Sequence, residues 1–406
     1  MIILNVLLVA VEYFSMNYDL QVSIEELIQL ANACNMEVKE VIIQKLNERT
    51  PQYYIGKGKV NEIKNHLYDI DMVIFNEELS PMQVKNLTDA LLIEVSDRSD
   101  LILRIFEQRA KSQEAKLQVK IARNQYLLPR LAGMRKDIYS QQGGSGFRGS
   151  GEKQIELDKR MIHKQIVQYQ KELNQLVSRR QTQRKRRKKH DMKIVSLVGY
   201  TNSGKSSLLN YFSDKKVLEK DMLFATLETS TRAVALNHQQ KILMNDTVGF
   251  IDQLPHHLIK AFRSTLEEVK EADLLLHVVD ASSDNLQKHI DTTKEVLKEL
   301  GIENTPVLYV YNKIDKIQET IFVPQDPYVI ISVKEEYNLD ILQEKIISLL
   351  FNDYEQLEIF IPYSEGKDYQ YLKQNYPVDK EEFLDEYIYL SLKVSLNDYN
   401  YFKKYR

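Results

Sequence analysis

The distribution of apolar residues predicts a chain of alternating strands and helices. Short apolar runs that end in polar turns are typical of buried strands, and apolar residues three or four positions apart indicate helices. Before residue 100, Ser23 and the pair Ser80-Pro81 are expected to begin helices as N-terminal caps. A further helix is expected to begin at Gly58. The strands of this region are predicted at 2–11, 38–44, 71–75 and 91–95. Such alternation favours a small parallel α/β domain.

Two long helical segments are predicted after this region, with a glycine-rich stretch between them. The spacing indicates helix over 101–131 and again from 152 to about 189, which would pair as an antiparallel hairpin. The intervening loop at 141–151 is too rich in glycine to hold a structure of its own. Its phenylalanine and arginine would suit an RNA contact, but composition alone favours a flexible hairpin tip.

Two basic segments each permit two interpretations. Residues 179–189 (RRQTQRKRRKK) are dense enough in charge to bind phosphates, and a solvated linker is the alternative. Residues 56–59 (GKGK) fit an anion or RNA contact at a helix start as well as a simple turn. After residue 350 the pattern predicts strand, helix, strand, helix, a small α+β domain. The predicted domains are therefore 1–100, 101–190, 191–350 and 351–406.

The strongest chemical signal is a complete G-x-x-x-x-G-K-S phosphate loop. It follows the apolar run 193–198 and leads into a helical pattern that continues to Phe212. Backbone N–H groups and the helix dipole at such a junction favour bound phosphates. Lys205 can reach the β- and γ-phosphates, and the Ser206 hydroxyl can bind Mg²⁺. The predicted phosphate-binding residues are Gly199, Tyr200, Thr201, Asn202, Ser203, Gly204, Lys205 and Ser206.

Three later segments complete a guanine-nucleotide site in the expected order. The first, after the strand 242–245, places a carboxylate near Mg²⁺ and a glycine amide near the γ-phosphate. The second, after 306–311, ends in Asp315, whose carboxylate can accept hydrogen bonds from guanine N1 and N2, which adenine cannot supply. The third follows 328–331 and can close over the base. Their residues are Asp246, Thr247, Val248 and Gly249; Asn312, Lys313, Ile314 and Asp315; and Ser332, Val333 and Lys334. The set predicts a parallel α/β nucleotide domain.

The amino-acid composition is consistent with these predictions and limits the class of protein further. The chain has 406 residues, 43% of them hydrophobic and 28% charged, which allows several cores. Its net charge of −3 excludes a polycation, so that nucleic-acid binding would need local patches. Cys34 is the single cysteine, so no disulfide can form within the chain. The first apolar run is about half the roughly 20 residues that span a membrane, so a buried strand is expected instead.

Motifs along nearly the whole chain are similar to those of the HflX family of ribosome-associated GTPases. Several of them lie outside the nucleotide-binding motifs. They are residues 54–59 (YIGKGK), 75–81 (FNEELSP), 97–106 (DRSDLILRIF), 116–119 (KLQV), 128–131 (LPRL), 224–227 (FATL) and 361–366 (IPYSEG). The resemblance implies a cytoplasmic GTPase, partly membrane-associated through ribosomes, that binds the large ribosomal subunit and its rRNA and splits or rescues stalled ribosomes.

The resemblance also implies roles for particular residues. Mg²⁺ would be held by Ser206 and Thr226. Switch I would comprise Phe224, Ala225, Thr226, Leu227 and Glu228. Because Glu228 and Thr229 stand where the family often has Asp-Pro, Thr229 and Thr231 are alternatives for the switch threonine. Ribosome contacts are expected from the N-terminal domain, the glycine-rich loop and the basic run, in a monomer.

Hydrolysis is expected to be slow in the free protein. Phe250 occupies the position after Gly249, where a Ras-like GTPase has the glutamine that orients water. Lys205, Thr226 and Gly249 would support hydrolysis, but no residue is assigned as catalytic base, so stimulation by a partner is predicted. Two other functions fit the same motifs: an RNA-modification GTPase, and a GTP-gated RNA- or ribosome-binding module that acts in silencing or assembly.

Overall fold

The computed structural model forms two compact units. The first unit contains the described residues up to Arg179, with Leu223 and Phe224, and the second contains the remaining described residues. The structure describes residues 3–13, 19–131, 148–187, 192–213, 223–224, 230–237, 240–251, 267–317, 322–352, 354–376 and 378–406.

A four-stranded parallel sheet organises the first unit, in the order β2-β1-β3-β4. Its strands are β1 (Leu4–Tyr13), β2 (Met36–Leu46), β3 (Met72–Phe75) and β4 (Glu94–Asp97). The helices between them are α1 (Leu20–Ala33), α2 (Lys57–Asn65) and α3 (Pro81–Leu91). The predicted parallel α/β domain is therefore confirmed, and the expected strands 2–11, 38–44 and 71–75 overlap β1, β2 and β3. The expected strand 91–95 is largely wrong, because α3 continues to Leu91 and β4 begins only at Glu94.

The predicted start of α1 is wrong. Asp19 is the N-cap and accepts a hydrogen bond from the Gln21 amide, so the helix begins before Ser23. Ser23 is instead buried inside the helix, where its hydroxyl accepts a hydrogen bond from the Asn76 amide group. The Ser80 cap is confirmed, since its hydroxyl accepts from the Gln83 backbone in a capping box.

Three further helices complete the first half of the chain. They are α4 (Arg98–Arg109), α5 (Gln113–Leu127) and α6 (Arg148–Arg187). The predicted helix 101–131 is thus divided, because Ser112 caps a new helix by accepting from the Ala115 amide. Helix α6 begins inside the stretch that was expected to be loop. Residues 141–147 of that stretch and 188–189 of the basic run lie outside the described residues. Helices α5 and α6 pack together through Leu117, Ile121 and Leu173.

A six-stranded sheet with the order β10-β9-β8-β5-β7-β6 lies in the second unit. All its neighbours are parallel except β6 with β7. The strands are β5 (Ile194–Val198), β6 (Ser230–Ala235), β7 (Lys241–Asp246), β8 (Leu274–Asp280), β9 (Val307–Asn312) and β10 (Tyr328–Ile330). The helices are α7 (Lys205–Phe212), α8 (Leu286–Glu299) and α9 (Leu339–Leu350).

The last segment of the chain adds an antiparallel sheet with the order β11-β13-β12. It comprises β11 (Tyr354–Pro362), α10 (Gly366–Asn375), β12 (Val378–Phe383), β13 (Tyr387–Ser395) and α11 (Leu396–Phe402). The α+β pattern was expected, but β12 was not. Its sequence VDKEEF has no apolar alternation, and none of its residues is fully buried.

Candidate functional site

The phosphate loop bridges β5 and the start of α7, as its sequence predicts. Gly199 and Gly204 have φ angles of +144° and +97°, which side-chain-bearing residues rarely adopt. A Cβ at Gly199 would lie 2.2 Å from the Val278 carbonyl oxygen, and one at Gly204 would lie 2.2 Å from Asn312 Nδ2. Both backbone conformation and space therefore require glycine, which leaves the loop amides accessible to an anion.

Lys205 places a buried ammonium group inside this loop. Its Nζ donates to the carbonyl oxygens of Gly199 at 3.1 Å and Tyr200 at 2.6 Å, and the residue is 6% exposed. Burial lowers the pKa of the ammonium to about 8, with Asp246 opposing the shift and Lys313 adding to it. The site thus holds a cation that lacks solvation and gains from an arriving phosphate.

Ser206 and Asp246 bring two hard oxygen groups together at the phosphate end. The Ser206 hydroxyl donates to Asp246 Oδ2 at 2.7 Å, and Asp246 is 2% exposed. Thr247 is buried and donates to the Leu197 carbonyl at 2.6 Å, which anchors the turn, and Val248 is buried beside it. A hydroxyl beside a carboxylate fits Mg²⁺, which prefers oxygen ligands and takes its other ligands from phosphates and water.

Gly249 and Phe250 connect the end of this turn to the phosphate loop. Thr201 N–H donates to the Phe250 carbonyl at 2.7 Å, and Phe250 N–H donates to the Gly199 carbonyl at 3.1 Å. A Cβ on Gly249 would lie 2.7 Å from the Thr201 Cα. The Phe250 ring is 2% exposed and packs in a core cluster with Val198 and its neighbours. Its position therefore supplies no polar side chain to orient water.

Asn312 joins the phosphate loop to the predicted base-binding segments. Its Nδ2 donates to the Ser203 carbonyl at 3.0 Å, and its Oδ1 accepts from the Val333 amide at 3.1 Å. The adjacent Lys313 donates to the Asn202 carbonyl at 2.7 Å and to Asp280 Oδ2 at 2.7 Å. These bonds link the phosphate loop to a segment more than a hundred residues later in the chain, and link that segment in turn to Val333 and Asp280.

Asp315 presents a carboxylate at the outer edge of the site. Its Oδ1 accepts from the Ser332 hydroxyl at 2.6 Å, and this hydrogen bond is the main reason that the carboxyl pKa lies below its usual value. Asp315 is exposed, whereas Ser332 is 1% exposed. The Ile314 amide donates to the Ile331 carbonyl, and the Lys334 side chain is 76% exposed. An ionised, exposed carboxylate remains available to accept the two donors of guanine.

The second unit thus brings the three predicted segments together with the phosphate loop. Phe224 of the predicted switch I lies in the first unit, and Ala225, Thr226, Leu227 and Glu228 lie outside the described residues. Two contributors were not predicted. One is Asp280, the partner of Lys313, which its place at the carboxyl end of β8 could have indicated. The other is His289, whose ring stacks on Tyr200 with centroids 3.7 Å apart, and no sequence signal indicates it.

Three family models match the chain in succession. GTP-binding GTPase N-terminal matches residues 21–107, and GTP-binding GTPase Middle Region matches 109–187. The third, 50S ribosome-binding GTPase, matches 194–313 and contains the phosphate loop and Asn312. In the described part of the chain, no helix is long and apolar enough to cross a membrane.

Curated relatives match over most of their length. GTPase HflX of Caldanaerobacter subterraneus is 41% identical over 375 residues, which cover 92% of this chain and 87% of that protein. GTPase HflX of Lacrimispora saccharolytica is 39% identical over 93% and 90% of the two chains. A solved GTP-binding protein from Sulfolobus solfataricus in complex with GDP is 27% identical, covers 85% of this chain and 99% of that one, and has a TM-score of 0.45. The phosphate loop, Asp246 and the Asn312–Asp315 segment fall within the sequence shared with the Caldanaerobacter relative, and the chain belongs to the GTPase HflX family.

Proposed function

We propose that this chain is a GTP-hydrolysing factor that binds the large ribosomal subunit and splits or rescues stalled ribosomes. The observation that carries the proposal is the cross-linked nucleotide site, in which Asn312 ties the phosphate loop to the segment that closes over the base. The match of residues 194–313 to the 50S ribosome-binding GTPase model supports the partner. The setting is the cytoplasm, where ribosomes are found.

GTP is selected by Asp315 and bound with Mg²⁺. Asp315 accepts hydrogen bonds from guanine N1 and N2, while Ser332 holds the carboxylate in place. Ser206 and Thr226 would hold Mg²⁺ through their hydroxyl oxygens, and Asp246, which accepts from the Ser206 hydroxyl, would act beside them. A metal held there would neutralise part of the phosphate charge. Lys205 and the Gly249 amide bind the phosphate groups, and Thr226 to Glu228 respond to the γ-phosphate as switch I.

Hydrolysis by the free protein is slow, because the position after Gly249 is occupied by a buried phenylalanine. A ribosomal group supplies or positions what is missing, in the manner of an activator that acts in trans. Turnover of GTP with and without large subunits measures this directly. A high rate in the free protein that ribosomal subunits do not raise would contradict it.

We assign a role to each of the predicted domains 1–100, 101–190 and 191–350, which precede the domain 351–406. The first two, with the hairpin, the glycine-rich loop and the basic run, contact rRNA. The third domain binds GTP and distinguishes it from GDP. The chain acts as a monomer. Contacts between α5 and α6 at Leu117, Ile121 and Leu173 support the pairing of the two hairpin helices.

Sedimentation of the full chain with ribosomes tests the proposal. The protein is mixed with intact ribosomes and a non-hydrolysable GTP analogue, GDP or no nucleotide. We expect co-migration with large subunits under the analogue only, together with loss of intact ribosomes. Binding without splitting would favour a silencing or assembly role, and no binding in any nucleotide state would remove the ribosome as partner.

The variant Asp315→Asn provides a matched control for guanine gating. The asparagine oxygen can still accept from N1–H, but its NH2 group faces the N2 amine of guanine, donor to donor, and can instead donate to the extra carbonyl of xanthine. We expect the variant to lose ribosome binding with the GTP analogue and to regain it with the xanthosine analogue. Unchanged selectivity would refute the role of Asp315 and leave the ribosome experiment standing.

A further inference from the structure

One threonine hydroxyl of the phosphate loop is buried without a hydrogen-bond partner. Thr201 is 7% exposed, and its Oγ1 has no partner within the part of the chain that the structure describes. Its backbone N–H already donates to the Phe250 carbonyl at 2.7 Å, so the hydroxyl is the donor that this residue has left for a ligand. A buried hydroxyl that bonds to nothing is unfavourable, and buried polar groups in proteins are nearly always paired.

The Thr201 side chain lies at the turn that is proposed to meet the γ-phosphate. A Cβ built on Gly249 would lie 2.9 Å from the Thr201 methyl carbon Cγ2 and 3.1 Å from Lys205 Nζ. The side chain and the buried ammonium therefore converge on one point beside Gly249. Turning the side chain by one staggered position about χ1 puts the hydroxyl where the methyl group lies, which brings the O–H to that point.

A second hydroxyl of the loop, that of Ser203, is also buried without a partner among the described residues. It lies in a different place. A Cβ built on Gly199 would lie 3.4 Å from Ser203 Oγ and 2.2 Å from the carbonyl oxygen of Val278, a residue of β8. The Ser203 hydroxyl is therefore close to β8, whereas the Thr201 side chain is the one that lies against Gly249.

We propose that the Thr201 hydroxyl donates a hydrogen bond to the γ-phosphate of GTP and thereby distinguishes GTP from GDP. The buried Phe250 ring offers no polar group at this end of the site, where Lys205 and the Gly249 amide are the other proposed phosphate ligands. GDP ends at the β-phosphate and leaves the hydroxyl without an acceptor. Thr201 is thus a specificity-determining residue, and this inference rests on the proposed placement of the γ-phosphate beside Gly249.

The size of the effect follows from the charge of the acceptor. A hydrogen bond to an ionised phosphate oxygen contributes about tenfold or more to a binding constant. Thr201→Val keeps the branched shape of the side chain and removes the hydroxyl. In the free protein this change removes an unpaired polar group, so it should not lower the midpoint of thermal unfolding. A hydroxyl with a purely structural role would give the opposite result.

The experiment measures the affinities of the full-length protein for GDP and for the β,γ-imido analogue of GTP, with Mg²⁺ present. The variants are Thr201→Val, Thr201→Ala and Thr201→Ser, of which the last keeps a hydroxyl. The matched control is Thr293→Val, which changes a buried threonine of α8 whose hydroxyl donates to the His289 carbonyl at 2.9 Å. Thermal unfolding without nucleotide identifies the variants that are folded. Gly249→Ala, whose Cβ would occupy the point beside Thr201, tests the placement of the γ-phosphate separately.

We expect Thr201→Val and Thr201→Ala to weaken binding of the analogue about tenfold, with the affinity for GDP changed by less than about twofold. Thr201→Ser should bind the analogue as the wild type does, and Thr293→Val should keep the wild-type ratio of the two affinities. The unfolding midpoint of Thr201→Val without nucleotide should equal or exceed that of the wild type.

Equal losses for GDP and the analogue in Thr201→Val and Thr201→Ala would overturn the inference, and so would an unchanged affinity for the analogue. If Gly249→Ala then loses binding of the analogue, the role of Thr201 alone is refuted. If Gly249→Ala also keeps the wild-type preference between the two nucleotides, the γ-phosphate does not lie beside Gly249, and the proposed function of that glycine fails as well.

Discussion

The buried ammonium of Lys205 predicts that nucleotide binding consumes protons. In the free site its pKa is about 8, because burial removes solvation that Asp246 only partly replaces. Bound phosphates bring negative charge to the same ammonium and raise its pKa well above 8. The complex therefore holds more protons than the free protein at mildly alkaline pH, and affinity must fall as pH rises.

The size of this fall in affinity follows from the fractions of Lys205 that are charged and neutral at each pH. When only the charged form binds, the apparent dissociation constant is multiplied by one plus ten to the power of pH minus 8. This factor is about 1.1 at pH 7, 2 at pH 8 and 4 at pH 8.5. Affinity for GDP should therefore fall roughly fourfold between pH 7 and 8.5. About half a proton should be taken up per nucleotide at pH 8.

Fluorescent GDP titrations across this range measure the affinity, and stopping at pH 8.5 keeps guanine N1 protonated. Calorimetry at pH 8 in two buffers of different ionisation enthalpy measures the proton uptake. The variant Lys313→Gln is a useful companion, because Lys313 lowers the pKa of Lys205. Removing that charge should raise the pKa of Lys205, so that the fall in GDP affinity occurs at a higher pH.

A flat affinity profile together with no proton uptake at pH 8 would refute the reasoning. It would mean that Lys205 stays fully charged in the free site despite being buried. Uptake that does not shift in Lys313→Gln would assign the proton to another group.

Three other predictions concern the loop, a core and a buried ion pair. Gly204→Ala should weaken nucleotide binding about tenfold or more, because it adds a Cβ at positive φ against Asn312; Gly58→Ala, with nothing within 4 Å, should keep the wild-type affinity in the same titration. Phe250→Ala should lower the free energy of unfolding by about 3–5 kcal/mol in urea, since it empties a packed core; a loss below about 1 kcal/mol would contradict the observed burial. Arg98→Met should lower the free energy of unfolding by about 3–5 kcal/mol, because it removes the cation that pairs with the buried Glu26 carboxylate. Arg160→Met, which breaks an exposed pair with Glu156, should leave the unfolding midpoint unchanged, and equal losses in both variants would contradict this prediction.

Local sequence was sufficient wherever the controlling interactions lie within a few residues. The phosphate loop is the clearest case, because Gly199, Gly204 and Lys205 act through backbone conformation and a helix start that their immediate neighbours create. The strands of the first unit follow the same logic. The apolar runs of β1 and β3 need burial on both faces, which a central position in a parallel sheet provides.

Sequence patterns failed where a distant partner outweighed local preference. Ser23 followed by Glu26 has the spacing of a capping box, but Asp19 caps the helix and Ser23 bonds to Asn76. Strand β12 has four charged residues among its six, and β-pairing with β13 makes it a strand without apolar alternation. Backbone hydrogen bonds to a neighbouring strand leave no periodic signal in the sequence itself.

The sequence by itself determined the family, the nucleotide-binding motifs and the alternation of strands and helices. Only the tertiary structure decided that Asp280 pairs with Lys313 and that Asn312 links Ser203 to Val333. The same holds for the contact between the rings of Phe224 and Phe106 of α4. The physical reason is the distance along the chain over which each interaction acts. Backbone conformation and amphipathic periodicity are properties of adjacent residues, whereas these contacts join side chains that become neighbours only after the chain has folded.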